Sequence, residues 1–396
     1  MKKKLLFVID SLGCAGAEKS LVTLLSLIDS TKYQIDLQLF SYGGELEEFI
    51  PQHVNVLPEL VYFKDTKCNL GAHLLSFKLK TFFFRLLFSI CIRKSNLKHA
   101  DRARIFWNIT RNIIKPIDNT EYDIAIAYGH NIPTFYVAEN IIAKKKFAWV
   151  NVDLKLSKIN QDYQHQFYKK FTNITCVSDS SYKQFCSLYP TLKDCAKIIY
   201  DIIDSSFIKQ LSEVANPKEI VQDNTFKILT VARLNYYQKG YDISLEACKI
   251  LKERGHKFKW YALGTGEYRA QMIAYIKENE LDNYFELLGT RSNPYPYFRA
   301  CDLYVQTSRH EGFGLSIAEA RILNKPVVTT EFDAVWNQMI NGKNGIVVPI
   351  DATSVADAIQ DLIEHPEKME AISAFQKTEK KGNIEELEKF YNLIEL

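Results

Sequence analysis

The chain has 396 residues, 47% hydrophobic and 24% charged, a composition that excludes disordered and fibrous proteins and suits two domains. Its formal charge of +3 is uneven: residues 1–212 carry +8 and the rest −5, so the first half is the one suited to an anionic surface. Met1-Lys2-Lys3-Lys4 leads into only five apolar residues before Asp10, which is not a secretion signal, and the longest apolar stretch, 82–92, contains Arg85 and is too short to span a bilayer.

Lys4-Leu5-Leu6-Phe7-Val8-Ile9 is a short apolar run closed by Asp10, the composition of a strand buried on both faces of a parallel sheet. A loop with Gly13 and Gly16 follows, then a helix over about 17–28, and further strands are predicted near 34–40, 123–128, 147–150 and 174–177. The pattern restarts beyond about 202–214 with strands at 226–231, 258–263, 327–329 and 346–348 and a helix from Tyr241. The expectation is an α/β protein of two Rossmann-like, doubly wound domains facing a central cleft, 1–205 and 206–380, with a helical segment at 381–396. The eight cysteines include no Cys-x-x-Cys and no cluster with metal-ligand spacing, so they are expected to be reduced thiols of a cytoplasmic protein.

Residues 72–104 stand apart. Eight Lys and Arg, among them Lys78, Lys80, Arg85 and Lys94, share the stretch with one acid, Asp101, and with five phenylalanines that include Phe84 and Phe88. Wound as a helix, Phe77, Phe84 and Phe88 form a stripe flanked by basic residues, while Leu75, Leu79, Phe83, Leu86 and Ile90 lie on the opposite side, where they are expected to pack on the domain. Such a stripe suits an anionic membrane surface, with Lys78, Lys80, Phe84, Arg85, Phe88 and Lys94 in contact; the alternative is a helix packed on both faces. No nucleic-acid-binding motif accompanies the charge, so nucleic acid is not expected as a partner.

The most informative segment is Ser308-Arg309-His310-Glu311-Gly312-Phe313-Gly314-Leu315-Ser316-Ile317-Ala318-Glu319-Ala320. Its glycines let the backbone approach a ligand, and the first-turn amides near Leu315 and Ser316 would meet an anionic group with the helix dipole behind them. Glu319 then falls inside the helix, positioned to accept hydrogen bonds from a ribose diol, and Glu311 lies nearer a reacting sugar. In Val231-Ala232-Arg233-Leu234-Asn235-Tyr236-Tyr237-Gln238-Lys239-Gly240, Arg233 and Lys239 follow the first strand of the second half, where two cations would neutralise a diphosphate. Leu263-Gly264-Thr265-Gly266-Glu267 is a second strand-to-helix turn.

The Glu311-to-Glu319 element, the run EGFGLSIAEA and the downstream KPVVTT and NGKNGIVV resemble the retaining GT-B glycosyltransferases of family 4, the group 1 glycosyltransferases, especially those that build bacterial capsule, exopolysaccharide or lipopolysaccharide. The resemblance is specific over about 226–350 and loose elsewhere. It implies a metal-independent glycosyltransferase with no cofactor, whose donor is a nucleotide diphosphate sugar and whose acceptor is a glycan or a lipid-linked oligosaccharide at the cytoplasmic face of the membrane. Uridine is the expected nucleotide, with guanosine the alternative. By the same resemblance Arg233 and Lys239 take the diphosphate together with Gly16, Gly314, Leu315 and Ser316, although the Arg-to-Lys spacing is one residue longer here and Ala15 stands where the family has a glycine. Gly264 and Gly266 correspond to the turn near the nucleotide, Thr290 and Arg291 to the base region, and His130 to a histidine that touches the donor sugar; Asp153 is a weaker candidate. The segment 381–396 corresponds to a helix that crosses back to the first domain. Two rival readings are a nucleotide-sugar epimerase or hydrolase of the same fold and a non-catalytic nucleotide-sugar-binding partner subunit.

Overall fold

The computed structural model describes residues 2–14, 16–66, 79–93, 99–151, 154, 157–222 and 225–395. They form two units, Met1–Gly13 with Ala17–Tyr200 and Leu387–Leu396, and Cys14–Gly16 with Asp201–Glu386.

The first unit holds a parallel sheet of β1 (Lys3–Ile9), β2 (Tyr33–Leu39), β3 (Val54–Val56), β4 (Glu121–Ala127), β5 (Ile142–Val150), β6 (Asn173–Cys176) and β7 (Ala196–Ile198), in the order β3-β2-β1-β4-β5-β6-β7. The apolar run of β1 is buried from Leu5 to Ile9, as two-sided cover by helices requires. Leu6 and Val8 join a core with Ala125, Ala127 and Val150, whereas Phe7 stacks against Phe390 with ring centroids 6.3 Å apart.

The second unit repeats the plan with β8 (Phe226–Val231), β9 (Phe258–Leu263), β10 (Phe285–Gly289), β11 (Leu303–Gln306), β12 (Val327–Thr330) and β13 (Ile346–Val348), in the order β10-β9-β8-β11-β12-β13. Ile228, Val305 and Val328 face one core, and Leu229, Tyr304 and Val327 the other. The strand order reverses between β8 and β11, the switch point at whose carboxyl end ligands of such sheets bind.

Two expectations are corrected. The boundary lies at Tyr200/Asp201, not 205/206, because Asn383 ties the segment after β7 into the second unit: its Nδ2 donates to Asp201 O at 2.9 Å and its Oδ1 accepts from Ile203 N at 2.7 Å. The chain rejoins the first unit only at Leu387, where the helix Glu386–Glu395 places Phe390 on Phe7 and stacks Tyr391 on Tyr33, centroids 5.8 Å apart.

The second correction concerns 72–104, which contains the helix Leu79–Arg93 and the start of the helix His99–Thr110. Of the residues expected to pack on the domain, Phe83 (59%), Leu86 (42%) and Ile90 (46%) are exposed, while Leu75 and the side chain of Leu79 lie outside the described residues. Phe88 instead meets Phe106 of the next helix edge-on at 5.4 Å, Phe84 is half-buried, and Arg85 lies near the Tyr62 hydroxyl. Among the described residues it is thus Phe88, not Phe83, Leu86 or Ile90, that joins the aromatic cluster of Phe106 and Phe63; Phe77 lies outside them. Lys78, Lys94 and the side chain of Lys80 lie outside the described residues, as does Asp153.

Candidate active site

The site in the second unit grows from two loops that leave β8 and β11 side by side. After β8 the chain makes one helical turn, Tyr236–Lys239, which Asn235 opens by accepting Gln238 N at 2.8 Å and left-handed Gly240 closes. The loop after β11 is zipped to it, since Arg309 N donates to Gln238 O at 2.8 Å and the Arg309 guanidinium is held by both oxygens of Asp242 at 2.8 and 2.6 Å. That carboxylate pushes the already high pKa of Arg309 further up.

The zipper brings Lys239 to Glu311. Lys239 Nζ donates to Glu311 Oε1 at 2.6 Å and to Oε2 at 2.7 Å, with the two side chains 19% and 9% exposed. Gln306 Nε2 and Ser308 Oγ each donate to Oε1 at 2.7 Å. The cation expected on a diphosphate and the carboxylate expected at a sugar are therefore partners here, and the glutamate is held from three sides. Arg233 is exposed and makes no ion pair among the described residues.

Gly314 caps the helix Leu315–Ile322 at φ 86°, a left-handed conformation that glycine adopts without strain. Its carbonyl accepts Ile317 N and Ala318 N, so the amides of Leu315 and Ser316 fall before the helix's own ladder begins. Gln338 Nε2 braces the turn by donating to Phe313 O at 2.6 Å and Gly314 O at 3.1 Å, and Ser316 Oγ donates to Val231 O at 3.0 Å, pinning the helix start to the end of β8. Glu319 is 3% exposed and accepts the Tyr295 hydroxyl at 3.0 Å; burial first, and this carboxylate second, push the Tyr295 pKa well up.

The β9 turn packs on the β8 loop, with Leu234 N donating to Thr265 O at 2.9 Å. A Cβ on Gly264 would stand 2.0 Å from Ala232 O, at a φ of +143°, and one on Gly266 would stand 2.2 Å from Leu234 O. Gly264→Ala is therefore expected to destabilise the unit by about 3 kcal/mol and lower its Tm by about 6–12 °C. Gly255→Ala, also left-handed but with nothing within 4 Å, serves as the control and should cost about 1 kcal/mol. Thermal melts of the two variants check this. At the next loop Thr290 O accepts Arg291 Nη1 at 3.1 Å, and the Arg291 side chain turns to Tyr297 Oη at 2.9 Å and to Glu219 at 3.5 Å.

His130 and Gly16 lie in other elements: half-buried His130 follows β4, ahead of the helix Ile132–Asn140, and exposed Gly16 begins the helix Gly16–Leu27. Sequence reasoning missed Gln306, Ser308 and Gln338, all of which hold the glutamate loop; a glutamine at the end of an otherwise apolar strand was the available signal for Gln306.

Residues 213–379 match the profile of the family described as glycosyl transferases group 1. The second unit is a group 1 glycosyltransferase domain. An uncharacterised glycosyltransferase of Methanocaldococcus jannaschii is 26% identical over 170 residues, and that match spans only 42% of either chain. A Campylobacter jejuni enzyme named for transferring N-acetylgalactosamine to N-acetylgalactosamine-N,N'-diacetylbacillosaminyl-diphospho-undecaprenol is 24% identical over 394 residues, 96% of this chain and 95% of its own. The crystal structure of Anabaena HepE in complex with UDP-glucose superposes with a TM-score of 0.70 at 19% identity, covering 99% of both chains. This likeness is one of fold, and the group 1 domain with its companion sheet unit has the GT-B architecture. Within the group 1 domain, Glu311, Lys239, Gly314 and Glu319 all gather around the carboxyl ends of β8 and β11.

Proposed function

We propose that the protein is a retaining glycosyltransferase that moves a sugar from a UDP-sugar to a hydroxyl of a glycan or lipid-linked oligosaccharide in cell-surface polysaccharide synthesis. The observation that carries this reading is the Lys239–Glu311 pair at the switch point, beside the helix start at Gly314. Donor binding would draw the Lys239 ammonium toward the diphosphate, where Arg233 and the Leu315 and Ser316 amides join it. Glu311, still held by Gln306 and Ser308, then faces the anomeric carbon as positive charge develops there. The acceptor hydroxyl attacks from the leaving-group side and passes its proton to a β-phosphate oxygen, which gives retention. Glu319 serves the ribose and His130 the donor sugar. The undecaprenol-linked acceptor in the name of the Campylobacter relative and the UDP-glucose in the HepE structure favour a lipid-linked acceptor and a uridine nucleotide.

Because Arg233 and Lys239 supply the positive charge, turnover is proposed to need no divalent metal. The test is NMR of the product made from an α-linked UDP-sugar in the presence of EDTA: an α-linked product at an undiminished rate fits the reading. A β-linked product refutes retention, and loss of turnover in EDTA refutes metal independence.

We further propose that the protein works at the cytoplasmic face of a membrane, to which it binds peripherally. No helix among the described residues is long and apolar enough to cross a bilayer. The face that would enter the headgroup region is Phe83, Leu86 and Ile90, at helical spacing and exposed, in place of Phe84 and Phe88. Phe83→Glu with Ile90→Glu is expected to weaken sedimentation with anionic phospholipid vesicles at least about tenfold. Phe88→Ala, which removes an inward ring, should leave vesicle binding intact while lowering Tm. The reverse ranking would sink the membrane assignment.

A further inference from the structure

Gln306 is 2% exposed and ends β11, a central strand whose other three residues, Leu303, Tyr304 and Val305, are fully buried. A primary amide at such a position costs stability unless both its ends are bonded. Both are: Oε1 accepts the Tyr304 hydroxyl at 2.8 Å, and Nε2 donates to Glu311 Oε1 at 2.7 Å. Tyr304 lies two residues back on the same strand and so shares a face of the sheet with Gln306. Burial pushes the Tyr304 pKa well up, so its hydroxyl stays protonated and can donate. A flipped amide would set its oxygen 2.7 Å from a Glu311 oxygen with no proton between them, and the network therefore fixes one orientation.

The three donors on Glu311 differ in what ligand binding does to them. Lys239 carries its ammonium on a flexible four-carbon stem and a diphosphate would attract it, and Ser308 Oγ is a rotatable hydroxyl on the same loop as the glutamate. Gln306 belongs to the sheet and is locked by Tyr304. We infer that Gln306, oriented by Tyr304, is the positioning residue that holds Glu311 at the reacting carbon while Lys239 is exchanged from Glu311 to the donor diphosphate. This rests on the glycosyl-transfer reading of the site and adds a division of labour within it: the lysine moves between two anions, and the glutamine keeps the carboxylate in place. A carboxylate misplaced by about 1 Å can lose on the order of 100-fold in rate.

The test compares wild type, Gln306→Leu and Tyr304→Phe in donor-saturated and donor-limited transfer. It adds a urea-unfolding double-mutant cycle between Gln306→Leu and Glu311→Gln. The expected result is a kcat lowered about 30-fold in Gln306→Leu and about fivefold in Tyr304→Phe, with the donor KM within about threefold of wild type in both, because the lost interaction matters in the transition state more than in binding. The cycle should show a coupling of at least about fivefold in the unfolding equilibrium. A kcat within twofold of wild type in both variants, or a donor KM that rises in step with the loss of kcat/KM, overturns the inference. If Gln306→Leu does not fold, Tyr304→Phe decides, since it keeps the strand's shape. If wild type itself shows no acceptor-dependent transfer, the functional reading fails instead, and the cycle then stands alone: no coupling overturns the Gln306 contact, and coupling retains it.

Discussion

Glu311→Ala is expected to lower kcat/KM for glycosyl transfer by about 1000-fold, most of it in kcat. The carboxylate collects two contacts from Lys239 and one each from Gln306 and Ser308, so the protein has placed three donor groups around a side chain that is only 9% exposed. Such a concentration of donors fixes a carboxylate at a defined point, where in the proposed reaction its charge would stabilise a transition state in which the sugar becomes cationic. Its removal also leaves the Gln306 amide and the Lys239 ammonium facing an empty space, so a loss of roughly 2–3 kcal/mol of stability should accompany the loss of rate. Glu311→Gln separates the two effects. It keeps the volume and loses the charge, and it should remain nearly as inactive while recovering part of the Tm. Steady-state kinetics with thermal melts on both variants measure this, and a Glu311→Gln enzyme at a tenth of wild-type kcat or better would show that the charge is not what the site uses.

Lys239→Ala and Arg233→Ala are expected to lose a comparable share of activity, about 100-fold in kcat/KM each, through different balances. Lys239 is mostly buried against Glu311, and its loss leaves that carboxylate half-paired, so Lys239→Ala should fall in both stability and rate. Arg233 is exposed without an ion pair among the described residues, so Arg233→Ala should melt like wild type and fail only when donor is present. Donor titration by calorimetry, set beside the two melting curves, reads the difference directly. An Arg233→Ala protein that binds donor as wild type does would remove it from the diphosphate site.

The elements that were legible in the sequence are those written as local patterns. The runs at 226–231, 258–263 and 346–348 became β8, β9 and β13 at the same limits, because each is rich in β-branched, aromatic and other apolar residues, interrupted only by Lys227, Thr230 and Lys259. The glycine-rich start of the helix Leu315–Ile322 was legible for a similar reason, since a left-handed cap leaves little choice but glycine. Contacts between distant residues were not legible. Lys239 and Glu311 are 72 positions apart, and nothing in either loop alone says that they pair. Gln338, 25 positions beyond Phe313, is another such case. The helix Leu79–Arg93 failed in a different way. Phe84 with Phe88 and Phe83 with Leu86 and Ile90 are both apolar stripes, so periodicity locates two faces without saying which one meets Phe106. The short strands β3 and β7 carry only three residues each, Val-Asn-Val and Ala-Lys-Ile, and rise too little above loop composition to be marked out.

The most direct test of the central claim is release of UDP from a panel of UDP-sugars by the wild-type protein, with and without a bacterial membrane lipid extract. Release from one donor is expected, strongly increased by the extract and matched by sugar appearing in the lipid fraction. Release or conversion of donor at the same rate without extract would contradict the claim in favour of a hydrolase or epimerase, and tight donor binding with no turnover under either condition would contradict it in favour of a binding subunit.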